Sequence, residues 1–348
     1  MSRHNDYYNA VQRMYDLRQL NNRHAYDLRK QEVYRCVPAL EDLDKQQVSD
    51  SIRRIKASLA TCSDAFSSVS GSNGKAANYQ ENTAQSNAIS DYATQRKKLL
   101  TEAGFPEDYL EMQFQCPLCK DTGFIGEQRC KCFKAAFINL LYKDSALRNA
   151  LEKENFNTFS YEYFSKDITD PLTGLTSYET IQKAVETAKE FISGFGLSDT
   201  DTRNLLICGN TGVGKTFLTN CIAHELINAG HGIVYLSANE LLTILEDYKF
   251  RRNDKEDSEI IFERYTSVYE CDLLIIDDLG TELTNSFAIT QLFDLLNKRQ
   301  LHHRSTIIST NLSMQHIKET YSERIFSRIA SSYDYIRLFG EDIRLKKL

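Results

Sequence analysis

The stretch "LLICGNTGVGKTFLTNCIAHEL", residues 205–226, constrains this chain more than any other feature. It starts as an apolar strand, passes through G-x4-G-K-T, and continues as a helix with an apolar face. Glycines in such a loop let backbone N–H groups wrap a phosphate at the helix N-terminus, where the helix dipole favours anions. The sequence therefore predicts a nucleoside triphosphate site formed by Gly209, Asn210, Thr211, Gly212, Val213, Gly214, Lys215, Thr216 and Phe217.

A site of this kind also needs a cation for the phosphates and acids for magnesium. Lys215 is predicted to reach the β and γ oxygens, and the Thr216 hydroxyl to ligate Mg²⁺. The segment "CDLLIIDDLG" supplies a buried strand that ends in Asp277 and Asp278. Asp277 would hold Mg²⁺ through water, and Asp278 would orient or deprotonate the attacking water. The alternative is that the two carboxylates cap the next helix.

Asn311 follows another apolar strand, "TIIST". If that strand neighbours the P-loop strand, Asn311 lies beside the γ-phosphate and acts as a polar sensor of the attacking water. Asn311 is also suited to cap the helix predicted for "SMQHIKETY", and the two roles are compatible.

The sequence pattern of the second half of the chain indicates a parallel sheet. From about residue 155, the short apolar runs "LLIC", "IVYLS", "LLIID", "TIIST" and "YIRLF" alternate with amphipathic helical stretches. Strands separated by helices are typical of a parallel sheet covered on both faces. We therefore predict an α/β P-loop domain with five parallel strands between helices.

Two arginines near the end of the chain share one helical face. Arg324 and Arg328 stand at i, i+4 spacing in "ERIFSRI", just before the last strand. In a parallel P-loop sheet this helix lies far from its own phosphate, so its arginines would complete the site of a neighbouring copy in a head-to-tail homo-oligomer. The alternative is that they lie along the surface or pair with Glu319 and Glu323.

Four cysteines cluster in "CPLCKDTGFIGEQRCKC". Four thiolates suit tetrahedral zinc, and such sites are usually structural because no coordination position stays open. An iron–sulfur cluster and unmetallated thiols are the alternatives, and the module either contacts single-stranded nucleic acid or only holds the chain together. The predicted zinc ligands are Cys116, Cys119, Cys130 and Cys132.

The N-terminal third reads as helical and polar. Val48, Ile52, Ile55 and Leu59 form one helical stripe, and Ile89, Tyr92, Arg96 and Leu99 form a second. The Ser-, Asn- and Gly-rich segment 67–87 between them is predicted to be a flexible linker. Two helical stripes joined by a linker predict an antiparallel helical hairpin. This hairpin would be either a self-packed spacer or a docking arm for a partner.

Composition excludes some classes of function. The net charge of −6 gives no overall attraction to nucleic acid, so any such contact must be a local patch. The sequence contains no run of 18 apolar residues and no apolar segment at its N-terminus, so we expect a cytoplasmic protein with no membrane contact.

Taken together, these motifs resemble the AAA+ family, and within it the bacterial DnaC/DnaI helicase loaders and the IstB transposition ATPases. GNTGVGKT, LLIIDDLG, STNLS, ERIFSRI and the terminal G-x-D-x-R carry the resemblance over about residues 155–348. It implies ATP as the nucleotide, Arg328 as the trans-acting finger with Arg324 beside it, and Arg344 as a sensor of the chain's own nucleotide. The cysteine segment also looks like the zinc-binding region of DnaI-type loaders.

The resemblance further implies partners. The N-terminal region would grip a hexameric replicative helicase, and the ATPase domain would bind single-stranded DNA. In this family the segment after the second strand contacts DNA, and here it offers a cation-plus-aromatic combination, although an exposed helix end is the plainer interpretation. The candidates are Lys249, Phe250, Arg251 and Arg252.

Two features depart from the wider AAA+ pattern. The acid pair is Asp-Asp rather than Asp-Glu, so Asp278 is one methylene shorter and slow hydrolysis is expected. Only four residues follow Arg344 in this sequence, which we interpret as a truncated lid and which favours a loader or helper over a processive motor.

The predicted organisation has four parts. They are a helical or coiled-coil partner-binding region at 1–105, a zinc module at 106–135, a connecting helix at 136–154 and the AAA+ domain at 155–348. The predicted function is an ATP-dependent helicase loader in DNA replication, with a transposition helper ATPase as the alternative. A small-molecule P-loop kinase would need an acceptor pocket and a lid, which this C-terminus does not suit.

Overall fold

The computed structural model describes residues 3–65, 92–141, 150–151, 153–197, 202–250 and 258–347. They divide into two compact units. One comprises Tyr15–Thr122, and the other comprises 1–14 together with Gly123–Leu348. The predicted linker 67–87 lies outside the described residues, as do residues 142–149 and 152 of the predicted connecting helix 136–154.

Long helices dominate the N-terminal region, as predicted. They are Arg3–Cys36, Pro38–Ala65 and a helical segment over 92–102. A small apolar cluster holds the unit Tyr15–Thr122 together, formed by Val33, Leu40, Leu100 and Leu110.

The aliphatic stripe on the second helix does not form that core. Val48, Ile52 and Ile55 are 59%, 49% and 61% exposed. On this helix the segment 92–102 makes a polar contact, since the Tyr92 hydroxyl donates to Asp50 at 2.6 Å. The helical prediction is thus confirmed, but the stripe leaves an apolar face open to solvent.

The larger unit contains the predicted five-stranded parallel sheet. The strands in chain order are β1 Phe124–Ile125, β2 Gln128–Arg129, β3 Leu205–Cys208, β4 Ile233–Ser237, β5 Leu273–Leu279, β6 Ser305–Thr310 and β7 Asp334–Arg337. The order in the sheet is β4-β5-β6-β3-β7, and every neighbouring pair is parallel. The P-loop strand β3 lies between β6 and β7, and β6 lies beside β5. A separate two-stranded antiparallel ribbon pairs β1 with β2.

Helices cover both faces of the sheet. Successive strand residues point to opposite faces, so β3 sends Leu205 and Ile207 into one apolar cluster and Leu206 and Cys208 into the other. The helices of this unit are Lys131–Leu141, Ser177–Gly194, Lys215–Asn228, Ala238–Phe250, Ser258–Glu270, Ser286–Leu301, Met314–Tyr321 and Glu323–Ser332, with 3-10 turns at Tyr161–Tyr163 and Ile343–Lys347.

Side-chain caps fix where several helices begin. Thr176 and Glu179 form a capping box at the start of Ser177–Gly194. Ser313, not Asn311, caps the helix Met314–Tyr321, by accepting from the backbone N–H of His316. The predicted capping role of Asn311 is therefore wrong, because the helix begins three residues after it.

In the described part of the chain, no helix combines the length and the apolar character needed to cross a bilayer.

Candidate active site

A cavity of about 520 Å³ opens where the carboxyl ends of β3, β5 and β6 meet. This edge is where parallel α/β sheets usually bind ligands. The described residues that line the cavity are Glu154, Thr158, Phe159, Ser160, Tyr163, Phe164, Thr211, Gly212, Gly214, Lys215, Thr216, Phe217, Asp278, Thr281, Asn311, Ile343 and Arg344.

The loop between β3 and its helix requires glycine at two points. Gly214 has a φ of +97° and Gly212 a φ of +79°, a region that L side chains rarely adopt. A Cβ on Gly212 would also lie 2.0 Å from Oδ1 of Asp342. The backbone N–H of Ile343 donates to the Gly212 carbonyl at 2.9 Å, so the C-terminal segment packs directly on the loop.

Lys215 is held at the centre of this loop. Its ammonium donates to the carbonyls of Gly209 and Asn210, each at 2.9 Å, and to Oδ1 of Asn311. The side chain is buried, and this burial lowers the pKa of the amine. The loop thus holds the Lys215 ammonium at the helix N-terminus. Because β6 neighbours β3, Asn311 at the end of β6 reaches this ammonium.

The two adjacent aspartates have different environments. Asp277 is buried and accepts hydrogen bonds from the Tyr235 hydroxyl, at 2.8 Å, and from the Ser309 hydroxyl. Asp278 has a φ of +55° and faces the cavity. Burial, together with the nearby charge of Asp277, raises the pKa of the Asp278 carboxyl.

The alternative that these carboxylates cap the next helix is wrong. That helix begins at Ser286, and its cap is Asn285, whose side chain accepts from the backbone N–H of Ala288 at 2.8 Å.

Sequence reasoning missed the hydroxyls behind the acid pair. Tyr235 also hydrogen-bonds Thr219 at 2.9 Å, which links β4, the P-loop helix and Asp277. The available signal was a hydroxyl residue inside each of the apolar runs "IVYLS" and "TIIST".

The C-terminal arginines fall into two groups. Arg344 lines the cavity, and its charge acts on both Lys215 and Asp278. Among the described lining residues, neither Arg324 nor Arg328 appears. Arg324 is exposed, and Arg328 donates to Oε1 of Gln300 at 2.5 Å.

The acids proposed as alternative partners of these arginines are engaged elsewhere. Glu323 pairs with Lys318 at 3.1 Å, and Glu319 accepts from Gln315 at 2.7 Å.

The predicted DNA segment lies at the end of the helix Ala238–Phe250. Phe250 is 71% exposed, and its ring centroid lies 5.5 Å from that of Phe287. On the same helix, Tyr248 stacks on Tyr265 at 3.7 Å. Lys249 is exposed, whereas Arg251 and Arg252 lie outside the described residues.

The cysteine segment brings its four thiols together. Their sulfur atoms all lie within 4.8 Å of one another, and Cys119 and Cys130 are buried. Four thiols this close could hold one tetrahedral metal ion, for which zinc is the usual occupant.

The cavity suits a magnesium nucleotide. Hard cations prefer oxygen ligands, and the Thr216 hydroxyl and the Asp278 carboxylate line the cavity, with the buried Asp277 next to Asp278 on β5. Lys215 and Arg344 supply positive charge for phosphates.

Comparison with known proteins finds a similar family. Residues 175–347, just under half of the chain, match the model of the family described as IstB-like ATP binding protein. The match, together with the P-loop and the five parallel strands, supports an ATPase, as the resemblance predicted.

Similar proteins include a helicase loader and proteins of mobile elements. The replicative helicase loader DnaC of Escherichia coli K12 is 22% identical over 195 residues, which are 54% of this chain and 76% of DnaC. The phage-like element PBSX protein XkdC of Bacillus subtilis is 23% identical over 66% of this chain and 85% of its own length. A putative insertion sequence ATP-binding protein of Sinorhizobium fredii, y4pL, is 30% identical over 40% of this chain and 56% of its own length.

Two solved structures also match. The DnaC helicase loader aligns with a TM-score of 0.40 and 18% identity over 51% of this chain and 98% of DnaC. DnaI aligns with a TM-score of 0.43 and 21% identity over 55% of this chain and 93% of DnaI.

Proposed function

We propose that this chain is a cytosolic, ATP-dependent loader of a replicative DNA helicase. The observation that carries the proposal is the P-loop and its acid pair at one cavity, in a chain that also has a long helical region ahead of its ATPase domain. A relative named as a helicase loader supports it. The alternative, a transposition helper ATPase, is supported by the insertion sequence ATP-binding relative.

In this proposal the loop Gly209–Phe217 binds the triphosphate. Thr216 and Asp277 would hold Mg²⁺, which shields the phosphate charge when bound, and the Tyr235 and Ser309 hydroxyls fix Asp277 for that task. Asp278, whose raised pKa makes it a better proton acceptor, would take the proton of the attacking water.

Two further groups would assist hydrolysis from within the chain. Asn311 would position the attacking water, since it already contacts Lys215. Arg344 would neutralise charge that develops on the phosphates, since it lines the same cavity.

The site would be completed by a second copy of the chain. Arg328 and Arg324 are absent from the described lining of their own cavity, yet they lie on one helical face, with Arg324 exposed and Arg328 half-buried. A head-to-tail contact would bring this face to the cavity of a neighbour, where an arginine can raise the hydrolysis rate by about 10³–10⁵-fold.

The N-terminal region would bind the helicase. Val48, Ile52 and Ile55 form an apolar stripe on the helix Pro38–Ala65 and are about half exposed or more. An amphipathic helix with an open apolar face is suited to lie in a groove of a partner protein.

Single-stranded DNA would contact the ATPase domain near Phe250. The exposed Phe250 ring with Lys249 beside it offers stacking and charge. Phe250→Ala should weaken binding of a labelled oligonucleotide, and unchanged affinity would remove this site.

The four-cysteine segment would hold structural zinc, in keeping with thiols within 4.8 Å of one another. Elemental analysis of freshly purified, reduced protein should find one zinc per chain; a metal-free preparation that stays folded would contradict the assignment.

Affinity capture from the native host in the presence of ATP tests the loader role. The tagged wild-type chain should recover a replicative helicase, and a variant with Val48, Ile52 and Ile55 changed to Ser should lose it while still hydrolysing ATP. Recovery of a transposase with no helicase would favour the helper ATPase instead.

A further inference from the structure

The cavity extends beyond the phosphate loop to a carboxylate that the proposed mechanism does not use. Glu154 lines the cavity, and its Oε2 accepts a hydrogen bond from Nδ2 of Asn220 at 2.7 Å. Asn220 is 2% exposed, so the amide holds the carboxylate from a fixed position. Among the described residues, none donates to the other oxygen, Oε1, which is therefore available to a donor in the cavity.

Aromatic rings surround this end of the cavity. The ring of Phe159 lies 5.6 Å from that of Phe217 in an edge-to-face arrangement and 6.1 Å from that of Phe164 in a stacked one. All three line the cavity. Such walls suit a flat heterocycle, because ring faces attract planar π systems.

The place of Asn220 on the P-loop helix indicates that the end of the cavity near Glu154 is not the end that would hold the phosphates. Lys215 opens that helix, whereas Asn220 stands five residues further on, about 7 Å along the axis. Because the phosphates belong at the helix N-terminus, a carboxylate fixed by Asn220 lies toward the nucleoside part of a bound nucleotide.

We infer that Glu154 selects the base of the nucleotide, by accepting a hydrogen bond from the exocyclic amine of adenine. Guanine presents a carbonyl oxygen at the same ring position, and two acceptors facing each other repel. Asn220 is the positioning residue, since it fixes the carboxylate without lining the cavity. This inference rests on the proposed nucleotide site.

A ribose hydroxyl is the other donor that a nucleoside offers to a carboxylate. The aromatic rings beside Glu154 favour the base, because a sugar gains less from stacking than a heterocycle does. Nucleotides that lack one group at a time distinguish the two.

Competition binding with a fluorescent ATP analogue measures the selection. The wild-type chain, Glu154→Gln and the matched control Glu162→Gln are titrated with ATP, GTP and dATP. Glu162 is exposed and is not among the described lining residues. Glu154→Gln should reduce the preference for ATP over GTP by roughly 10-fold or more, since a hydrogen bond to a charged group is lost and an amide can donate to guanine. The control should keep the wild-type preference.

Three results would overturn the inference. An unchanged ATP-to-GTP preference in Glu154→Gln would remove the role, and a changed ATP-to-dATP preference instead would assign Glu154 to the ribose. Purine riboside triphosphate, which lacks the amine, provides a test that needs no variant. It should bind the wild-type chain roughly 10-fold more weakly than ATP, and equal binding would refute the role.

Failure of the nucleotide site itself has a different signature. If the wild-type chain bound every triphosphate as weakly as Lys215→Ala does, the proposed function would fail and base selection would fail with it. Tight binding of ATP and GTP alike would leave the proposed ATPase function standing and overturn only the role of Glu154.

Discussion

At the scale of single residues, the adjacent aspartates show how the backbone gives neighbours different tasks. Asp277 continues the strand and points its carboxylate at the Tyr235 and Ser309 hydroxyls. Asp278 lies at the irregularity of β5 between Ile276 and Leu279, has a positive φ and faces the cavity. One carboxylate is thus fixed and paired with hydroxyls, and the other faces the cavity.

Replacing Asp278 tests its assigned role. Asp278→Asn should lower ATP turnover by about 10²–10⁴-fold, because the amide cannot accept a proton. Asp278→Asn should not lower stability at pH 8, because the raised pKa of Asp278 means that folding disfavours its charged form. The stability associated with protonated Asp278 is greatest at low pH and is lost as pH rises through the raised pKa.

Steady-state ATPase assays and thermal melts at pH 5 and pH 8 measure both effects. The wild-type rate should fall as pH drops through the pKa of Asp278. Full turnover by the asparagine variant would remove Asp278 from the mechanism.

At the scale of elements, the edge strand β7 is anchored by a buried ion pair. Arg337 of β7 donates to Asp170 through Nε at 2.6 Å and Nη2 at 3.2 Å. The Asp170 side chain is fully buried, and Arg337 holds the pKa of that carboxyl below its usual range. β7 also contains Asp334, which pairs with Arg203 at 2.8 Å in an exposed setting.

These two pairs provide a matched comparison. Arg337→Ala should destabilise the larger unit by about 3 kcal/mol, since the buried carboxylate loses its charged partner but keeps the Leu172 N–H and the Thr173 hydroxyl as donors. Arg203→Ala should cost about 0–1 kcal/mol, since its pair is exposed and screened by solvent.

Urea denaturation followed by circular dichroism at two pH values measures the difference. The Asp170 contribution to the free energy of unfolding is present above the unfolded pKa of about 4 and is lost as pH falls through the lowered folded pKa. The difference in unfolding free energy between wild type and Arg337→Ala should therefore become smaller in acid. Equal losses for both variants at neutral pH would contradict the assigned importance of burial.

At the scale of the whole molecule, catalysis by this ATPase is proposed to need more than one copy. The helix Glu323–Ser332 presents Arg324 to solvent and ties Arg328 to Gln300 at 2.5 Å. That hydrogen bond fixes the arginine within its own chain and leaves it partly exposed to solvent.

Mixing two inactive variants tests action between chains. Arg328→Ala should reduce turnover with ATP affinity nearly intact, and adding Lys215→Ala chains should restore part of the activity. Recovery is expected because the Lys215→Ala chain still donates its arginine to an intact P-loop.

The same mixture made with Arg324→Ala shows which arginine acts. A mixture without recovery for either variant would count against catalysis between chains, as would full activity in a preparation that light scattering shows to be monomeric.

Much of the fold followed from local patterns in the chain. Apolar runs and helical periodicity predicted five parallel strands between helices, and G-x4-G-K-T predicted the loop at the carboxyl end of β3. These signals are readable because strand alternation, helix periodicity and glycine conformations are properties of a few consecutive residues.

Local sequence patterns did not predict the contacts between residues that are far apart in the chain. The packing of Asp342 against Gly212, the Tyr235 hydroxyl on Asp277 and the amide of Asn220 on Glu154 each join residues from different elements. Strand order and backbone direction, rather than residue type, decide which of the two adjacent aspartates faces the cavity. They also decide whether Asn311 caps a helix or contacts Lys215. The chain's local chemistry thus specified the elements and the phosphate loop, whereas long-range packing selected the partners of each side chain, because those partners are set only when the sheet assembles.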